Sequence, residues 1–347
     1  MQTLGFLAVA VRAQGPASPP AAPLPGAAAA AENATLRPVF VKGDTFAYRI
    51  SVQASERRGS AGETAGFEYR MRQVGTLRLN VLDIDEEGIA SMSAVIASMD
   101  LRVEAGRPGE DPDVRQIAFV HQAEAAAPEQ PAQEAAAAAQ ADVVSAVADK
   151  LARAVIRFDV LPSGRVRRVS GLDGLEEAAG DLDIGEMAMG VFSPNSVVRM
   201  LERFWRVDEP RAGDEPGAEP QWLVRAAGAQ WSMADERQLG YDHVAMIERT
   251  FTVKGPEAAG QSIEFKGKGK LPAKRSDPDP TVPSIALQEW TEEGSVVWDV
   301  ARSRITQRRE KVITDVTATL GPRSRRSRFE FDTEIDAAPA PAPAAAV

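Results

Sequence analysis

The sequence predicts an α+β protein, mainly antiparallel, with long curved β-sheets in two related halves and a few packed helices. Three observations lead there. Apolar residues recur at every second position over long stretches, the period of a strand with one buried and one wet face. Only two segments carry a helical period. An aromatic–Asp–Val hairpin also stands twice, as Phe158-Asp159-Val160 and as Trp298-Asp299-Val300.

The strands are read in chain order. Phe46, Tyr48, Ile50 and Val52 share a face, as do Leu77, Leu79 and Val81. Val95, Ala97, Met99, Leu101 and Val103 continue the pattern. In "SIEFKGKGKL", Ile263, Phe265, Gly267, Gly269 and Leu271 face one way and the charges the other. Phe329, Phe331, Thr333 and Ile335 close the series. Several of these runs exceed the usual ~5–6 residues, and a long one-sided strand curls because sheets twist as they extend.

Helix is expected in two places. Asp142 can cap a run in which Val143, Val147, Leu151 and Val155 line one face. Ser193-Pro194 forms a cap and first-turn pair before a stripe of Val197, Leu201 and Phe204. The stretch between them, 174–190, reads as broken helix and loop.

The two hairpins point to an internal repeat. Gly43 and Gly228 each precede an aromatic, Phe46 and Trp231, by three residues, and similar strands follow both. Low-complexity segments frame the ordered parts. The organisation expected is a signal-like segment 1–13, an Ala/Pro linker 14–34, a first β-rich half 35–205, a second half 206–336 and an Ala/Pro tail 337–347. The first half holds a disordered insert 123–140 and a helical segment 142–205.

These motifs resemble a group of uncharacterised exported β-rich bacterial proteins with a "GDxW"-like strand start and a later G-x-x-x-[FW]-D hairpin. Here the hairpin form is Gly294 to Asp299, and the second strand start reads "GAQW" without the Asp. The resemblance spans roughly Pro38 to Leu320 and implies export and a β-rich fold, with no activity and no site residues attached.

Composition narrows function mostly by exclusion. The 347 residues carry a net charge of -10, which disfavours nucleic acid as a partner. There is no cysteine, so thiolate catalysis, disulfides and Cys-zinc sites are ruled out. Two histidines, His121 and His243, leave little room for a triad or a multi-His metal centre. Leu4 to Val11 is a short apolar run followed by Val11 and Ala13 at cleavage-site spacing. Export to the periplasm or beyond is therefore expected. The missing basic stretch before the run suggests that a longer leader lies upstream. No run is long and apolar enough for a membrane-spanning helix, so an integral membrane protein is not expected.

Individual motifs allow two readings each. Asp83, Asp85, Glu87 and Gly88 imitate the front of a calcium loop, but position twelve is Ala94 rather than Glu; an acidic hairpin turn accounts for them. Gly321 to Arg328 is a basic run that suits either an anionic surface or an exposed hairpin loop. All five tryptophans, Trp222 and Trp205 among them, fall in the second part of the chain and suit a core or a pocket.

The function expected first is a non-enzymatic envelope or surface protein that binds or scaffolds. The first alternative is a carrier of a hydrophobic or lipid-like ligand in a curved-sheet cup, with Trp231, Trp290, Trp298 and His243 as ligand-facing residues. The second is a carboxylate-based polysaccharide hydrolase, for which no carboxylate pair stands out. No cofactor, metal or catalytic residue is nominated. An apolar ligand or an envelope component is the partner expected; its identity and the oligomeric state stay open.

Overall fold

The computed structural model of the chain describes residues 34–60, 66–120, 150, 152–172, 194–207, 224–225, 227–240, 243–257, 260–271 and 283–339. The signal-like segment 1–13, nearly all of the linker 14–34, the insert 123–140, the stretch 174–190, His121 and Trp222 lie outside the described residues, as does the tail from 340.

Among the described residues, fourteen strands and one helix longer than a single turn follow in order: β1 (Ala34–Thr35), β2 (Thr45–Ser60), β3 (Phe67–Ile84), β4 (Ala90–Gly106), β5 (Asp113–Val120), β6 (Val155–Val160), β7 (Val166–Ser170), α1 (Pro194–Glu202), β8 (Val224–Arg225), β9 (Gln230–Gly240), β10 (His243–Glu257), β11 (Gly260–Lys270), β12 (Ser284–Asp299), β13 (Arg304–Leu320) and β14 (Arg323–Ala338). Twelve strands form one antiparallel sheet in the order β7-β6-β4-β3-β2-β14-β13-β12-β11-β10-β9, with β5 pairing β4 off this path. β1 and β8 form a separate two-stranded pair.

This corrects the expected class. The fold is almost all β, not α+β with packed helices: α1, nine residues long, is the one long helix among the described residues. The helix expected from Asp142 falls mostly outside them; Lys150, Ala152 and Arg153 are helical, and Val155, expected on its apolar face, instead opens β6. Nor does each half keep its own sheet. β14 runs antiparallel to β2 from Arg325↔Ser60 to Ala338↔Ala47 and joins the two meanders into one surface. That pairing also draws Ala337 and Ala338 out of the expected tail into the last strand.

Alternation sets the two faces of the sheet. Phe46, Tyr48, Ile50, Val52 and Ala54 of β2 are buried on the inner face. Most find an apolar partner across the ladder, such as Ala54 between Met71 and Phe331; Val52 lies between Gln73 and Thr333. Bulges reset the parity where a plain alternation would fail. A register shift between Thr76 and Leu77 leaves Ala97 without a partner in the ladder, so the inner face of β4 passes from Met99 to Ile96 and Ala94. Val95 and Ala97, expected beside Met99, are therefore only half-buried.

α1 lies against the inner face near β7 and buries Val197 and Leu201. The chain after it fills the core. Phe204 stacks on Tyr48 with ring centroids 4.4 Å apart, and Trp205 stacks on Phe158 and meets Phe40 edge-on. The Tyr48 hydroxyl donates to the Ile305 carbonyl at 3.0 Å, and burial pushes its pKa up. Burying side chains of this size contributes ~1.5–3 kcal/mol each. A second cluster, with Phe251, Ile263, Phe265, Val296, Trp298 and Ile305, packs around Val207.

The two glycine strand starts share one geometry. Gly43 (φ +88°) donates its N–H to the Val81 carbonyl, and Gly228 (φ +83°) donates to that of Val253. In return Val81 donates to Asp44 and Val253 to Ala229. A positive φ at both positions is why glycine stands there.

Candidate functional site

Two regions hold polar groups in unusual settings. The first is the inner face of β9 to β13. Arg249 forms a two-pronged ion pair with Glu292, one arm of which is 3.0 Å (Nη2 to Oε1). Glu292 Oε1 also accepts the Trp290 indole N–H at 3.0 Å. Asp235 lies 3.6 Å from Arg249 and 3.0 Å from Arg237. Nearby, Glu310 pairs with Arg203 at 3.2 Å and with Arg308 at 3.3 Å, and Arg308 donates to the Arg206 carbonyl at 2.9 Å. Most of these side chains are buried, a setting that is tolerable only because they are paired.

The glycines of "KGKGK" make that arrangement possible. A Cβ at Gly267 would meet Arg249 and Glu292 at 3.2 Å, and one at Gly269 would meet the Trp290 side chain at 2.6 Å. Both positions read as apolar-face residues in the sequence. What they accommodate is a guanidinium–carboxylate pair and an indole ring.

The second region is a groove of about 570 Å³ across the outer face. The buried residues Ala54, Met71 and Phe331 line it together with the outward residues on either side of them. β3 and β4 contribute Arg70, Arg72, Arg102 and Glu104; β13 and β14 contribute Lys311, Glu330 and Asp332. Gln53 and Ser55 of β2 stand between the walls. One cross-sheet row reads Arg102, Arg72, Gln53, Asp332, Lys311 by ladder register. Strands are ~4.8 Å apart, so Arg72 and Asp332 start about 10 Å apart at the backbone. Burial pushes the Asp332 carboxyl above the usual range, against the pull of Lys311.

The residues nominated from sequence occupy scattered places. Trp298 is fully buried in the second cluster, and its indole N–H has no partner among the described residues. Trp231 packs against the same cluster, stacked on Phe251 at 4.9 Å. Trp290 belongs to the main core, over Gly269. His243 is half-buried at the start of β10, its Nε2 3.0 Å from the Pro283 carbonyl. Trp231 and Trp298 thus share a cluster; Trp290 and His243 stand apart from it.

Two other motifs resolve into structure. The Asp85 carboxylate accepts the N–H groups of Glu87 at 3.0 Å and Ile89 at 2.8 Å, and Gly88 has φ +79°. That closes the β3–β4 turn. In the basic run, Arg326 is held by Asp315 and Arg328 by Glu289 and Glu330, which takes up half of its arginine charge. No helix among the described residues is long and apolar enough to cross a membrane.

No family model matches the chain, and no curated protein does. Among solved structures the chain is similar to one of lipovitellin concerned with lipid–protein interactions, at TM-score 0.42 and 9% identity. The likeness covers 88% of this chain and 26% of that one, and at this level it carries no argument about what this chain binds.

Proposed function

We propose that the chain is an exported, non-enzymatic binding or scaffolding protein of the envelope or surface class, and that its outer-face groove is where it binds. The observation that supports this is the placement of the groove. Its walls come from the middles of β2, β13 and β14, the first part of β3 and the last part of β4, where the strands are held in ladders on both sides. A site on such elements is preorganised, because neighbouring strands fix the backbone beneath each side chain. Export is supported by the apolar run and small-residue spacing at Leu4 to Ala13.

The alternative, an apolar-ligand carrier, draws support from the long sheet with α1 laid on its inner face. The ion pairs of Arg249 and Glu292 on that face weigh against it, because an apolar ligand would have to lie over charged groups.

The test is native mass spectrometry of the full chain isolated from its own source, with Ser55→Trp as the groove-filling variant. Thr252→Trp, on the outer face of β10, is the control. A co-purifying small molecule lost in Ser55→Trp and kept in Thr252→Trp is the expected result. A molecule retained equally by both variants removes the groove as the site.

A further inference from the structure

Resting on the groove as the binding site, we infer that Arg72 and Arg102 form its anion subsite, taking the carboxylate or phosphate of a small ligand. Three observations carry this. Arg72 and Arg102 are directly opposite each other in the β3–β4 ladder, and both line the groove. Like charges in directly opposed positions destabilise an antiparallel pair, with their Cβ atoms ~5 Å apart. An anion between them turns that repulsion into attraction. The surroundings also leave Arg72 uncompensated. Arg70 is paired with Glu68 at 3.1 Å and Arg102 with Glu104 at 2.9 Å, whereas Arg72 forms no ion pair with a described residue. Finally, Gln53 stands opposite Arg72 on the other side and adds a neutral amide donor to the row.

The donor chemistry defines the ligand class. A guanidinium presents a planar fork of N–H groups that matches the two oxygens of a carboxylate or phosphate. Two such forks beside an amide suit one small anion. Glu330 and Asp332 repel an anion on the opposite wall, and on the arginine wall Glu104 is taken up by Arg102, so the anion sits nearest Arg72.

The experiment titrates inorganic phosphate, and separately acetate, into the full chain. It follows the arginine Nε–Hε signals by NMR, with Arg72→Ala and Arg102→Ala as variants. Arg49→Ala, which removes the same charge from the outer face of β2 outside the groove, is the control. The expected result is a saturable shift of the Arg72 and Arg102 signals with one shared Kd. That Kd weakens by roughly ten-fold or more in Arg72→Ala and stays unchanged in Arg49→Ala. Tighter phosphate than acetate assigns the phosphate class, and the reverse assigns the carboxylate class; either supports the subsite. Shifts at Arg72 no larger than at Arg49 overturn it. The two readings fail separately. A co-purified ligand that Ser55→Trp displaces but Arg72→Ala does not weaken leaves the groove standing and removes the anion subsite.

Discussion

The hairpin β6–β7 and the hairpin β12–β13 start from the same three-residue motif and end in different structures. In both, the aromatic is buried: Phe158 at 2% exposure and Trp298 at 0%. The Asp and Val then diverge. Asp159 stays in the strand, accepts the Ser91 hydroxyl at 3.1 Å and pairs with Arg168 at 3.3 Å. Asp299 ends its strand and accepts the Arg302 backbone N–H at 3.0 Å, closing the turn. Val160 is fully buried, while Val300 is 39% exposed. Both ladders shift register at the motif, but the strands end one residue apart: β6 keeps Val160 paired with Val166, whereas β12 ends at Asp299, paired with Arg304, and Val300 falls in the turn. The turns differ to match. Gly164 takes φ +75° in the first, under a cap in which Trp205 donates its indole N–H to the Gly164 carbonyl at 2.7 Å. Ser303 takes φ +49° in the second, which has no glycine. A shared motif thus fixes where an aromatic is buried, while its neighbours decide what the acid does.

The contrast can be broken from its strongest point. Trp205→Ala removes the cap from the first hairpin and leaves a cavity beside Phe158; it should cost about 3–5 kcal/mol. Hydrogen exchange should then accelerate in β6–β7 well before β12–β13. Equal acceleration in both would mean that the cap does not set them apart.

A finer cut compares the two buried indoles. Trp205→Phe strands the Gly164 carbonyl and should cost about 1–3 kcal/mol beyond the lost volume, because a buried acceptor loses its partner. Trp298→Phe has no such bond to lose among the described residues. Urea melts of the two variants should therefore separate, with Trp298→Phe the more stable. Coincident melts would place the whole cost in volume.

The smallest effect sharpens the turn comparison. Ser303→Gly relieves a left-handed backbone at a residue with a Cβ and should raise stability by up to about 1 kcal/mol. At Gly164 the reverse constraint holds, since a Cβ there would come within 3.0 Å of Trp205 and 2.9 Å of Arg206. A destabilised Ser303→Gly variant would show that the second turn relies on its serine side chain.

Much of the β architecture was legible. Period-two stretches in β2, β3, β11 and β14 became strands with the expected faces, because burial of one face leaves a direct mark on every second residue. Helix α1 begins at Pro194, as its cap pattern suggested. Of the helix expected from Asp142, the described residues Lys150, Ala152 and Arg153 are helical, while the ladder with Val95 claims Val155 for a strand. The groove was not legible. Arg70, Arg72 and Arg102 sit on the wet side of their strands, where a charge reads simply as solvation; only the ladder register places two of them opposite each other. The Arg249–Glu292 pair was hidden for a similar reason, its members being 43 residues apart. The inward glycines of β11 were the available signal.

The sequence by itself determined which residues alternate, where glycine must take a positive φ and which chemistries the missing cysteines forbid. These are local or compositional properties, written in spacing and residue type. Only the tertiary structure decided that β14 pairs β2 to make one sheet, that Trp205 caps the first hairpin and that the arginines of β3 and β4 share a groove. Those facts depend on which distant strands lie side by side, and pairing between strands is chosen by the summed fit of whole faces rather than by any single residue.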